Sequence, residues 1–109
     1  MSFEVLILPE AENDLTDLFL YVAGHDSSER AEKLLEILEQ KCTSLGSNPE
    51  RGHVVPELDR IYVTGFREVH FKPYRIIYQI IDNRVFVHAV LDGRRDVQEL
   101  LERRLLRQI

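Results

Sequence analysis

Between Arg67 and Leu91, apolar residues recur at every second position, and that alternation leaves few folds open. A period of two belongs to strands with one buried face. Lys72-Pro73 and Asp82-Asn83 interrupt it with turn-forming residues, so three antiparallel strands are predicted over Arg67–Phe71, Tyr74–Ile81 and Val85–Leu91. Folding the first hairpin about Lys72-Pro73 sets Phe71 opposite Tyr74, His70 opposite Arg75 and Glu68 opposite Ile77. A tight second hairpin sets Ile77 opposite His88 and Gln79 opposite Phe86. One face then carries Val69, Phe71, Tyr74, Ile76, Tyr78, Ile80, Val85, Val87, Ala89 and Leu91, the expected core side. The other carries Glu68, His70, Arg75, Ile77, Gln79, Phe86, His88 and Val90, the side on which function is expected.

The apolar side needs a cover, and the first half of the chain supplies one. Phe3 to Leu8 is short, apolar and β-prone, and fits a further strand. Pro9 suits a first helical position. Ala11, Leu15, Leu18 and Val22 recur at helical spacing until Gly24-His25-Asp26 breaks the run. Asp26 with Glu29 resembles a capping box for a second helix. Its stripe is Ala31, Leu34, Leu35, Leu38, Cys42 and Leu45, closed by Gly46. Cys42 lies on that stripe as core filler, and a lone cysteine forms no internal disulfide. Residues 47–65 show no period and read as a loop. Asp96 with Glu99 caps a last helix bearing Val97, Leu100, Leu101 and Leu105. The expected fold class is therefore α+β: strand, helix, helix, three antiparallel strands, helix, with the helical hairpin packed on one face of a small sheet.

At 109 residues the chain is read as one domain, 1–109, large enough for a single core. No basic start leads into an apolar run, and no stretch approaches the ~20 apolar residues of a membrane span, so the expected location is cytoplasmic. The net charge of −5 is unevenly spread. Residues 1–50 hold three Lys/Arg against eleven Asp/Glu; residues 51–109 hold eleven against eight. That balance argues against direct nucleic-acid binding by the chain alone, while leaving a cationic patch open on the second half.

On the half-polar face, Glu68, His70, Arg75 and His88 would stand a few strand spacings apart, with Arg94 and Arg95 just beyond the last strand. A carboxylate, two imidazoles and several guanidinium groups match the needs of metal-free RNA cleavage, which requires a base, an acid and cations for the phosphorane charge. The same residues are also ordinary on a solvated sheet face. The four histidines lack paired spacing, so neither a metal nor any other cofactor is expected. Arg67 falls by parity on the core side, where a salt bridge or loop clamp is expected of it.

Four stretches resemble the RelE/ParE toxin superfamily: Asn48 through Leu58, Phe66-Arg67-Glu68-Val69, Pro73 through Ile80, and Val90-Leu91-Asp92-Gly93-Arg94-Arg95-Asp96. The resemblance implies the toxin of a type II toxin–antitoxin pair, of the plasmid-stabilisation kind, with an antitoxin as native partner. RelE-like members cut mRNA in the ribosome, and ParE-like members act on DNA gyrase. RelE-like nucleases carry lysines where this chain has Glu68 and His70, and arginines matched here by Arg75 and Arg95. Their final helix carries a tyrosine where this chain has Leu101. Related nucleases use a Glu and a C-terminal His-Tyr pair, whereas this chain ends Leu105-Leu106-Arg107-Gln108-Ile109.

The resemblance thus favours the ParE-like branch, a non-catalytic gyrase inhibitor paired with a ribbon-helix-helix, ParD-like antitoxin. Its contact surface would hold Arg75, Ile77, Phe86, Val90, Arg94 and Arg95. Under the endoribonuclease alternative, Glu68 or His70 is the base, His88 the acid, and Arg75 and Arg95 clamp phosphate. A third alternative is a degenerate member that retains only antitoxin binding.

Overall fold

The computed structural model describes residues 2–106, so the chain end beyond Leu106, where a His-Tyr pair would be sought, lies outside the described residues. In chain order come β1 (Glu4–Ile7), α1 (Pro9–His25), α2 (Ser28–Ser44), a 3-10 turn (Pro49–Arg51), β2 (His53–Val54), α3 (Pro56–Asp59), β3 (Phe66–Phe71), β4 (Tyr74–Ile81), β5 (Arg84–Asp92) and α4 (Val97–Leu106). The α+β order expected from the sequence is present. The segment 47–65, expected as loop, adds a 3-10 turn, a two-residue strand and a one-turn helix. Pro49 and Pro56 start the two helical pieces, because a fixed φ suits a first turn. Elements this short show no period, which is why alternation could not reveal them.

The five strands lie in the order β1-β5-β4-β3-β2, with β1 parallel to β5 and the other pairs antiparallel. Helices α1 and α2 cover one face through Ala11, Leu15, Leu38 and Cys42, packed on Val69, Ile76, Tyr78 and Val87. The expected packing face of the helical hairpin is therefore observed. Each large apolar side chain buried there contributes roughly 1.5–3 kcal/mol. The cap of α2 is Ser27, whose hydroxyl accepts from the Arg30 amide at 3.1 Å, rather than the expected Asp26. Asp26 instead accepts from the Arg30 guanidinium at 3.4 Å. Gly46 follows α2 where β1 approaches: a Cβ there would stand 2.7 Å from the Phe3 carbonyl oxygen, so no side chain fits.

The first hairpin has the expected register, with Phe71 opposite Tyr74, His70 opposite Arg75 and Glu68 opposite Ile77. The second departs from it. Gln79 faces Phe86 as expected, but Ile77 faces Ala89, because a bulge between Ile77 and Tyr78 makes His88 an extra residue on β5. One added residue exchanges the two faces for everything beyond it. Val90, expected on the functional face, packs instead with Ala11, Leu15 and Ile76 under the helical hairpin. Ala89 and Leu91, expected on that core side, turn to the opposite face. There they join Ile77, Val55, Leu58, Val97 and Leu101 in a second core beneath α3 and α4.

The bulge frees two backbone groups, and one ion pair satisfies both. The Val90 amide donates to Asp14 Oδ2 at 2.9 Å, and the His88 carbonyl accepts from Arg104 Nη1 at 3.3 Å. Asp14 and Arg104 bind each other at 2.8 and 2.9 Å, tying α1 to α4 across the kink in β5. No helix among the described residues is long and apolar enough to cross a membrane.

Candidate functional site

Strand parity places Glu68 and His70 on the same face of β3, and register sets Arg75 of β4 directly opposite His70. Arg75 Nε and Nη2 donate to the two Glu68 oxygens at 2.6 and 2.9 Å. Its Nη1 and Nη2 also donate to Glu57 of α3 at 2.8 and 2.7 Å. His70 Nε2 lies 3.0 Å from Glu68 Oε1. Glu68 is 1% exposed and the Arg75 side chain 14%, so the guanidinium is sandwiched between two carboxylates in the interior rather than offered to solvent. The hydrogen bonds it donates to Glu57 in the first place push the Arg75 pKa further up, and the same contact holds the Glu57 carboxyl below its usual range. Breaking such a pair by deleting one partner costs about 3–5 kcal/mol, so the triad organises this end of the sheet.

His53 of β2 is the register partner of Glu68, and its ring meets that of His70 edge-on at a centroid distance of 5.0 Å. One ligand atom from each of His53, Glu68 and His70 falls within 4.8 Å of the others. The histidine spacing gave no sign of this grouping, because it depends on β2, a strand of two residues.

The remaining sequence-selected residues stand elsewhere. His88 Nε2 lies 3.1 Å from Gln79 Oε1, and its ring packs against Phe66 at 5.2 Å. Burial pulls the His88 pKa down; Glu10 opposes this shift and Arg104 adds to it. The imidazole is therefore held neutral and suits a proton donor poorly. Arg94 chelates Asp92 with bonds of 2.9 and 2.6 Å, and this contact holds the Asp92 carboxyl below its usual range. Arg95 is exposed and makes no ion pair among the described residues. Both arginines border a groove of about 430 Å³, shared with Asp14, Asp17, Leu18, Tyr21, Val90 and Asp92.

Of the expected catalytic group, the fold thus assembles Glu68, His70 and Arg75, and leaves His88, Arg94 and Arg95 apart from them. The expected contact surface does not form one patch. Ile77 and Val90, expected to be exposed, are 0% and 1% exposed, in the two opposite cores. Phe86 is half-buried between Leu6 and Gln79. Leu101, at the position of the nuclease tyrosine, is packed in the second core. Arg67 clamps the loop as expected, donating to the Glu50 and Gly52 carbonyls at 3.3 and 2.9 Å. Glu57, His53, Asp14 and Arg104 were not singled out as site residues. Their roles depend on tertiary contacts that no local pattern encodes, although Glu57 directly follows the helix-starting Pro56.

The sequence profile of the ParE toxin of the type II toxin–antitoxin system parDE matches residues 5–97. No curated protein sequence matches the chain. Among solved structures, the chromosomal ParDE toxin–antitoxin system of P. aeruginosa superposes with a TM-score of 0.69 at 14% identity, covering 82% of this chain and 94% of that one. The RelBE2 toxin–antitoxin complex of Mycobacterium tuberculosis gives 0.62 at 20% identity, covering 83% and 96%. An arginine-to-alanine double mutant of the E. coli toxin RelE in the free state gives 0.66 at 17% identity over the whole of both chains. With the profile running from β1 through the whole sheet to the start of α4, the chain belongs to the ParE toxin family of type II toxin–antitoxin systems, within the RelE/ParE superfamily.

Proposed function

We propose that this toxin acts by binding DNA gyrase, not by cleaving RNA, and that a cognate antitoxin keeps it silent in the cytoplasm. One observation carries the non-catalytic half of this reading. Arg75, the arginine a nuclease would aim at phosphate, has its Nε and both terminal nitrogens engaged by Glu57 and Glu68. A guanidinium already bound to two carboxylates has little left for a phosphorane, and a carboxylate bound to that guanidinium is a weakened base. Burial of Leu101 and the lowered pKa of His88 support the same reading. Family membership supports gyrase as the target and a ParD-like, ribbon-helix-helix protein as the antitoxin.

The described surface still has features to offer a protein partner. Leu20 and Tyr21 of α1 are 61% and 63% exposed, and Tyr21 lines the groove that holds the exposed Arg95. An apolar patch beside an unpaired cation is a common pattern in contact surfaces. Two assays separate the readings. In the first, purified toxin is added to gyrase, ATP and relaxed plasmid; in the second, primer extension follows a translated message. The proposal expects lost supercoiling and intact message. Discrete message cleavage with supercoiling untouched would establish the endoribonuclease instead.

A further inference from the structure

We propose that His53, Glu68 and His70 form a binding site for a divalent transition-metal ion of the zinc type. The fold brings the three together without help from sequence spacing. Antiparallel pairing sets His53 of β2 beside Glu68 of β3, and His70 follows two residues on, on the same face. One ring nitrogen of each histidine and one Glu68 oxygen lie within 4.8 Å of one another. A zinc ion bonded at about 2.0–2.2 Å needs nitrogen and oxygen ligands drawn slightly closer than that. Both histidines are exposed and free to make the adjustment, while Glu68 is held in place.

Charge gives a second, independent reason. Glu57 and Glu68 share the Arg75 guanidinium; Glu57 also feels Arg60, whereas no second Lys or Arg bonds Glu68 among the described residues, so that 1% exposed carboxylate keeps a surplus of negative charge. A bound dication beside Glu68 neutralises that surplus. The surroundings also resemble those that orient metal ligands. His53 Nδ1 lies 3.1 Å from the Val54 carbonyl oxygen, and donation there leaves the lone pair on Nε2. Arg75 holds the Glu68 carboxylate from behind as an outer partner. Binding exchanges the 3.0 Å contact between His70 Nε2 and Glu68 for two bonds to the metal.

Two imidazoles and one carboxylate select zinc, nickel or copper over magnesium or calcium. Three protein ligands leave a coordination position open to water or to a group from a partner. The metal would join β2 to β3 and so stiffen the connection that carries Glu57. This site does not depend on whether gyrase or the ribosome is the target.

Zinc titration of the untagged chain, followed by calorimetry, tests the proposal. One Zn²⁺ per chain is expected. His53→Gln and His70→Gln should each weaken binding by at least about tenfold, while His25→Gln and His88→Gln leave it unchanged. Zinc should also raise the melting temperature of the parent chain and have a much smaller effect on the His70→Gln chain. Both altered histidines are exposed, so unchanged melting temperatures without zinc show that the variants still fold. Glu68 is left intact because it anchors Arg75. No saturable zinc binding, binding that survives loss of both histidines, or equal affinity for Mg²⁺ would overturn the assignment.

Discussion

Arg75 and Glu68, diagonal neighbours on adjacent strands, are joined by two hydrogen bonds of 2.6 and 2.9 Å, and the same guanidinium is gripped from the other side by Glu57. This contact turns what alternation marks as an open polar face into a closed, charged interior that locks α3 onto the sheet. Arg75→Ala leaves two carboxylates facing each other with little solvent, and a loss of about 3–5 kcal/mol in unfolding free energy is expected. Chemical denaturation measures it. Arg75→Met combined with Glu57→Gln and Glu68→Gln should recover most of the loss, because the uncompensated charges are gone.

The same triad sets a response to acid. The folded-state pKa of Glu57 is depressed below its ordinary 4.5, first of all by hydrogen bonds from Arg75. Its contribution to stability is therefore complete above that ordinary value and is lost as pH falls toward and through the folded one. Denaturation midpoints measured downward from pH 5 should fall more steeply for the parent chain than for Arg75→Met. Parallel curves would contradict the assignment.

Asp14 bridges the bulged strand and the last helix by accepting from both the Val90 amide and Arg104. Asp14→Ala strands a buried N–H and a half-buried cation, and a cost of roughly 2–4 kcal/mol is expected. Amide hydrogen exchange gives the specific readout: Val90 should lose protection more than the amides of β3.

Cys42 is fully buried, and desolvation, with Glu39 and Glu12 adding to it, pushes its thiol up to about 12. At pH 8 the native chain should react with a disulfide reagent far more slowly than the denatured chain. Comparable rates in the two states would show that α2 is not packed as described.

Much of the architecture was legible because period-two and helical stripes each report a buried face, and both sides of the helical-hairpin core carry one. The first hairpin register followed from a two-residue turn with a marked start and end. The second could not follow, since the bulge at His88 is stabilised by Asp14 and Arg104, the latter in the last helix. That single shift moved Val90 into one core and Ala89 and Leu91 into the other. With Val90 in the first core and Ile77 covered in the second, the apolar contact patch expected of Ile77, Phe86 and Val90 does not form. At the candidate site, Glu68, His70 and Arg75 were readable from strand parity. Glu57 and His53 were not, because they arrive on pieces of two and four residues that carry no pattern.

The central claim, inhibition by binding without catalysis, is tested most directly by titrating purified toxin into a gyrase supercoiling reaction on relaxed plasmid. Supercoiled product should fall as toxin approaches the gyrase concentration. The His88→Ala chain should inhibit equally well, because a half-buried imidazole with a lowered pKa, bonded to Gln79 and packed on Phe66, has no chemical role in binding. Arg95→Ala, which removes an exposed cation with no ion pair among the described residues, should weaken inhibition several-fold, in keeping with the ~1–2 kcal/mol typical of a contributing interface residue. Full supercoiling at a large molar excess of folded toxin would contradict the account.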